Sequence, residues 1–347
     1  MSSSQKKEID EVYAEYFGYS IPYTDHILYT SISQKFDPFY IPAYVYISDV
    51  ESVLNNIDIR TPLAIEDKNQ LNQIASFVGI DTPTTIWGNV DGINFNSNHE
   101  IVSSSSIKEL LADKNTVFVK PSVESSGGHD CKLYRDINEA NTDRICKEIL
   151  DIYKSNFVVQ ETCTNCESIK EIHPWSLNTL RVATYILHGE VRHMPCVMRV
   201  GCNKASVDNA SSGGVVVAID DTGQLGEYCA TNTYTYKSSS HPDTGYVFAD
   251  HKINEFGEVL KAAEKIHECY PQLKVINWDF TITEDGKPCL IEVNVCSSGG
   301  FNLSQIAHGK SAFSSDTEEI FKICKELRQY KRAERLNAYR ISNVWGK

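Results

Sequence analysis

The stretch "NWDFTITEDGKPCLIEVN", residues 277–294, poses the question on which the reading of this chain turns. Asp285-Gly286 is a dipeptide favoured in two-residue hairpin turns, and the flanking runs are rich in Phe, Ile, Thr, Leu and Val. With those two residues as the turn, Asp279 falls directly opposite Glu292. Side chains so opposed lie about 4.5–5.5 Å apart at Cβ, where like charges destabilise a sheet. Alternation sends Phe280, Ile282, Ile291 and Val293 to one apolar face, and Asp279, Thr281, Glu292 and Asn294 to the other. Two carboxylates and an amide oxygen on one face suit a hard divalent cation, above all Mg²⁺ beside phosphates. A solvent-facing hairpin with incidental acids is the alternative, and the rest of the chain has to decide.

The 347 residues suffice for a large core, and 41% apolar with 23% charged residues is ordinary for a globular protein. A net charge of −13 opposes general binding to nucleic acid or anionic membranes. The opening "MSSSQKKEIDEVYAEYFGYS" has no apolar leader, and no apolar run reaches membrane-spanning length, so a cytoplasmic protein without membrane insertion is expected. The eleven cysteines are scattered and read as reduced small hydrophobes. Cys163 and Cys166 have the spacing of half a zinc site, but no second pair completes it.

Residues 1–65 combine a charged helix with the Tyr/Pro-rich "DPFYIPAYVYISDV", and their fold is not legible. "EDKNQLNQIASFVGIDTP" reads as a helix ending at Gly79. "TVFVK" and "DCKLYRD" are strands flanking a glycine-rich turn, and a helix with Ile145, Ile149 and Ile152 on one face leads to the strand "NFVVQETC". From residue 179 the pattern is mostly β: "TLRVATYI" and "EVRHMPCVMRVG" join through His188-Gly189, and "GGVVVAIDDTGQLGEYC" holds another hairpin. Helices are expected over 254–270 and 314–341, the second rich in Lys and Arg. The whole is α+β, with at least two sheets.

"FVKPSVESSGGHD", residues 118–130, sets Lys120 at a strand end before a turn of small residues, whose N–H groups can surround phosphate oxygens. It is not a P-loop, because the lysine precedes the glycines. Arg181 and Arg199 lie in apolar strands, where a guanidinium needs a partner. A structural ion pair and an anion-binding role both remain open for them. The plain His188-Gly189 register puts the two arginines on opposite faces, and a bulge at Pro195 reverses that parity. "VDNASSGG" at 207–214 and "SSGGFN" at 297–302 are further small-residue loops.

In order, "DKN", "VFVKP…SSGG", "FVVQETC", "SLNTLRV", "MRVG…VDNASSGG" and "WDFTITEDGKPCLIEVN" resemble the ATP-grasp superfamily over about residues 60–310. The closest likeness is to its sugar-transfer-associated branch, linked to cell-surface polysaccharide biosynthesis. The resemblance implies two α+β lobes closing on ATP. It divides the chain into an N-terminal region of uncertain fold (1–65), an ATP-grasp domain (66–310, with a lid subdomain at about 115–162) and a basic C-terminal helix (311–347). It implies Lys68 and Lys120 on the ATP phosphates, with Ser125, Ser126, Gly127 and Gly128 folding over them. Gln160, Glu161 and Cys163 are placed along adenine, partly through backbone. Asp279, Glu292 and Asn294 become ligands of Mg²⁺, or Mn²⁺ in its stead, and Arg181, Arg199 and Lys120 the catalytic cations.

The usual chemistry of that superfamily is ATP-dependent, ADP-forming ligation of a carboxylate to an amine through an acyl phosphate. Sugar acids or amino acids are the expected substrates, with no nucleic-acid partner. A kinase acting on a hydroxyl uses the same residues and is the first alternative; a non-catalytic nucleotide-binding protein is the second. His129 and His173 stay outside the catalytic set, because a lone histidine is more often structural.

Overall fold

The computed structural model describes residues 1–55, 60–123, 130–208, 213–231, 237–295, 300–331 and 334. Two antiparallel sheets organise them. The smaller comprises β1 (Thr85–Val90), β2 (Ile93–Asn96), β3 (Val117–Pro121), β4 (Lys132–Tyr134) and β5 (Phe157–Gln160), in the order β2-β1-β5-β3-β4. Trp87, Val119, Phe157 and Val159 pack on Ile145 and Ile149 of the helix Thr142–Tyr153. Ile152, expected on that face, is 47% exposed; Cys146 is buried in its place. The larger sheet holds β6 (Thr179–Leu187), β7 (Glu190–His193), β8 (Cys196–Val200), β9 (Val215–Ile219), β10 (Leu225–Thr231), β11 (Lys237–Ser238), β12 (Val275–Ile282) and β13 (Pro288–Asn294). Its order is β11-β10-β9-β8-β6-β12-β13, with β7 beside β6.

Alternation along these strands separates a core from a site. Leu180, Val182, Met198, Trp278, Phe280 and Leu290 share one core with the helix Phe256–His267. Ala183, Tyr185 and Val275 pack instead with residues of the N-terminal helix Ser3–Phe17 and the helix Thr317–Leu327. Residues 1–54 hold the helices Ser3–Phe17 and Thr24–Ser33 and a helical run from Ala43 to Leu54, packed against the larger sheet. They are also tied to the helix Gly300–His308: Gln305 exchanges hydrogen bonds with the Ile41 backbone at 2.8 and 3.0 Å, and Phe301 stacks on Tyr46. The expected C-terminal helix is described as Thr317–Leu327, and most of its basic end lies outside the described residues. No helix among the described residues is long and apolar enough to cross a membrane.

The expected 66–79 helix is two helices, Arg60–Glu66 and Leu71–Ser76. Between them Asp67 Oδ1 accepts from the Asn69 N–H at 2.9 Å, an Asx turn that competes with helical bonding. Lys68 stands in this turn, and its N–H donates to the Ser122 carbonyl at 2.9 Å, joining it to the end of β3.

Candidate active site

The β12–β13 hairpin departs from its expected register twice, and the departures cancel. The Thr283 N–H donates to the Lys287 carbonyl at 3.0 Å, and Gly286 has φ of 78°, so the loop is the three residues 284–286. That register pairs Phe280 with Leu290; Ile291 then bulges out, and Asp279 pairs with Glu292 after all. Leu290, fully buried, therefore takes the core position expected for Ile291. The bulge also frees the Ile291 carbonyl, which accepts from Lys120 Nζ at 3.3 Å across the gap between the two sheets.

The second hairpin behaves as the alternative register foresees. β6 pairs with β7 as a two-residue turn at His188-Gly189 requires, but beyond Met194-Pro195 the register slips by one residue. Thr179 then faces Arg199, and Arg181 shares its side of the sheet with Arg199. Both guanidiniums reach Asp279.

Arg181 grips Asp279 through Nε and through Nη2 at 2.6 Å, while Arg199 Nη1 donates to Asp279 Oδ2 at 3.0 Å. The other fork of Arg199 donates to Asp208 Oδ1 at 2.8 Å, and Asp208 Oδ2 accepts from the Thr179 N–H at 3.0 Å and from its hydroxyl. Glu292 pairs with Lys68 at 2.9 Å. The two opposed carboxylates are thus each compensated by protein cations. Asp279 is only 2% exposed; burial raises its carboxyl pKa, but Arg181 and Arg199 outweigh it and hold the group below its ordinary value. Burial alone would lower the Arg199 pKa, yet Asp208 and Asp279 keep it above normal. Asp208 is raised by burial, with Arg199 opposing. Burial, and then the like charge of Lys68, push the Lys120 ammonium down to about 8.

Arg181, Arg199, Asp279, Glu292 and Asn294 therefore share one face of the larger sheet, which Lys120 meets from the end of β3 and Lys68 from the turn between two helices. Ser125, Ser126, Gly127 and Gly128 lie outside the described residues. Gln160 is buried, and its amide donates weakly to the Pro83 carbonyl and Thr85 hydroxyl at 3.4 Å, inside the smaller sheet. The Glu161 carboxylate turns outward to Lys114 at 3.1 Å, and its N–H donates to the Thr84 carbonyl at 2.9 Å. Cys163 meets Cys289 of β13; a hydrogen bond from the Cys289 thiol lowers Cys163 and raises Cys289. Asp208 is a site residue that the sequence reading does not single out. Its signal was present in "VDN", nine positions after Arg199, but its pairing depends on the register slip at Pro195.

The donor set for a cation is two carboxylates and one amide. Among the described residues no cluster of three or more His, Cys, Asp or Glu side chains is arranged to hold a metal. The fit is nevertheless chemically sound for a hard ion: all the donors are oxygens and the Glu292 side chain keeps 26% exposure, while the orphaned Asn294 Nδ2, an N–H donor, suits a phosphate oxygen beside the ion.

A search of curated proteins finds no match. Among solved structures, D-cycloserine synthetase DcsG is 13% identical at a TM-score of 0.46, over 78% of this chain and 73% of its own. The VanG D-Ala:D-Ser ligase of Enterococcus faecalis is 16% identical at 0.42, over 76% and 62%. The L-amino acid ligase of Bacillus licheniformis is 13% identical at 0.39, over 74% and 48%. This chain thus spans less than two thirds of the last two. A family model described as sugar-transfer-associated ATP-grasp matches residues 53–320, most of the chain, including both sheets and every charged residue of the site. With its α+β architecture of antiparallel sheets, the chain belongs to the sugar-transfer-associated ATP-grasp family.

Proposed function

We propose that this chain is an ATP-dependent, ADP-forming carboxylate–amine ligase acting through an acyl phosphate. The observation that carries the reading is the opposed pair Asp279 and Glu292 enclosed by Arg181, Arg199, Lys68 and Lys120. Preorganised charges of both signs at the junction of two sheets suit phosphoryl transfer, which needs electrostatic stabilisation and positioning more than a protein nucleophile.

In this reading Lys68 and Lys120 hold the ATP phosphates, each as a point charge from a different element. A substrate carboxylate oxygen attacks the γ-phosphorus, the bond to the β–γ bridging oxygen breaks, and ADP leaves. Arg181 or Arg199 stabilises the charge on the transferring group. The amine nitrogen then attacks the acyl carbon, inorganic phosphate leaves, and the nitrogen loses its proton. Glu292, Asn294 and Asp279 would hold Mg²⁺, or Mn²⁺, which supplies charge neutralisation for the phosphates. The 124–128 segment is proposed as the phosphate cover, and Gln160, Glu161 and Cys163 as the adenine edge, partly through backbone. The carboxylate in this reading is a sugar acid or amino acid of cell-surface polysaccharide biosynthesis; the family's sugar-transfer description supports the link to sugars and no more.

ADP release tests this directly. Release that requires both a carboxylate and an amine from pools of sugar acids and amino acids is the expected result. No release with any acceptor pool would count against an enzyme.

A further inference from the structure

Arg199 is shared between two carboxylates where one would hold it more simply. A planar guanidinium pairs best with one carboxylate through two parallel hydrogen bonds, as Arg181 does with Asp279. Arg199 instead splays, with Nη1 on Asp279 Oδ2 at 3.0 Å and Nη2 on Asp208 Oδ1 at 2.8 Å. What keeps it splayed is the fixity of Asp208. This residue is 5% exposed, and its second oxygen is held by both the N–H and the hydroxyl of Thr179. Thr179 is itself the register partner of Arg199, and the strand just before it is pinned: Asn178 Oδ1 accepts from the Gly201 N–H at 3.2 Å and from the Ser176 hydroxyl at 2.7 Å. Position 201 has no room for a side chain, since a Cβ there would stand 2.4 Å from Ser176 Oγ.

We infer that Asp208 is a positioning residue: by holding one fork of Arg199 it prevents that guanidinium from closing fully on Asp279. The consequence is that Asp279 Oδ1, which accepts only from Arg181 Nε while Oδ2 accepts from both guanidiniums, keeps a lone pair able to engage a cation. The inference rests on the proposed function, since it gives Asp279 a metal to serve. A structural ion pair alone makes a different prediction, because its loss costs stability without redirecting Arg199.

The test is the Mg²⁺ dependence of binding a non-hydrolysable ATP analogue, measured by calorimetry on the full chain. Asp208→Asn keeps the shape and an acceptor for Thr179 but releases Arg199 to Asp279. The half-saturating Mg²⁺ concentration should rise by about tenfold, the effect of disturbing a residue that orients a metal ligand. Thr179→Val, which loosens Asp208 without changing charge, should raise it by about threefold, roughly one hydrogen bond. In an Arg199→Gln background, Asp208→Asn should leave the Mg²⁺ dependence unchanged, because the guanidinium that Asp208 holds off Asp279 is gone. An unchanged Mg²⁺ dependence in Asp208→Asn and Thr179→Val, or an equal shift with and without Arg199, overturns the inference. Should Asp208→Asn fail to fold, Thr179→Val decides alone. Wild-type binding that ignores Mg²⁺ overturns the proposed function itself, and this inference with it.

Discussion

Arg181 and Asp279 face each other directly across β6 and β12, and the guanidinium takes both carboxylate oxygens. That pairing changes the meaning of the opposed acids. Relief of repulsion between Asp279 and Glu292 would make Asp279→Asn stabilising if those charges stood alone. They do not. A neutral amide in place of this carboxylate would leave two guanidiniums short of a partner in a buried site. Asp279→Asn should therefore destabilise by about 3–5 kcal/mol, the usual effect of breaking a buried pair from one side. Urea unfolding measures it, and an increase in stability would show that repulsion dominates.

Glu292→Gln should behave differently. Glu292 is partly exposed and pairs with Lys68, so the loss of stability should be about 1 kcal/mol, well below that of Asp279→Asn. Mg²⁺-dependent affinity for an ATP analogue should nevertheless fall by about tenfold or more, because an oxygen donor to the cation is lost. Wild-type Mg²⁺ dependence in this variant would remove Glu292 from the proposed ligand set.

Lys120 gives the pH dependence. Its ammonium is lowered to about 8 by burial and by Lys68, whereas phosphates at Nζ would restore the charged form. Nucleotide binding then takes up a proton above about pH 8, and affinity falls as pH rises, approaching tenfold per unit below lysine's ordinary value of about 10.4. The same lysine also affects folding: between those values the unfolded chain binds more protons at this position, so its contribution to stability rises with pH. Lys120→Arg should flatten the affinity profile, since arginine stays charged. Calorimetry from pH 7 to 10 checks both proteins, and a flat wild-type profile would take Lys120 off the phosphates.

Much of this site was legible because charge and alternation are local. The pairing of Asp279 with Glu292 could be read from one dipeptide, though by way of two errors that cancel, a longer loop and the Ile291 bulge. A true two-residue Asp-Gly turn went unread at Asp91-Gly92, where both residues have positive φ and Val90 pairs with Ile93. Asp208 was not legible, since which carboxylate Arg199 meets depends on a one-residue slip near Pro195. Lys68 reads as a helix residue from sequence because an Asx turn at Asp67 prevails over helical bonding only when Ser122 is there to receive the freed N–H. The helical packing of residues 1–54 was illegible for another reason: their partners, such as Gln305 and Phe301, lie more than two hundred residues away.

Gly300 opens the helix beside the arginines, and a Cβ there would stand 2.4 Å from Asn277 Oδ1 and 3.3 Å from Arg181 Cδ. Gly300→Ala should therefore push Asn277 aside and crowd Arg181 by a few tenths of an ångström, at about 1–3 kcal/mol of overpacking, with a larger loss of kcat than of nucleotide affinity. Thermal unfolding and steady-state kinetics together check it. An unchanged kcat would mean that Arg181 tolerates the shift and is not poised for chemistry.

The reaction class is the central claim, and hydroxylamine tests it most directly. An acyl phosphate formed from the substrate carboxylate is a mixed anhydride that hydroxylamine, supplied in place of the amine, captures as a hydroxamate. With a competent carboxylate and ATP, the account predicts one hydroxamate for each ADP, with inorganic phosphate released in step. A stable phosphate ester formed with ADP, without hydroxamate and without inorganic phosphate, would contradict it and mark the protein as a kinase.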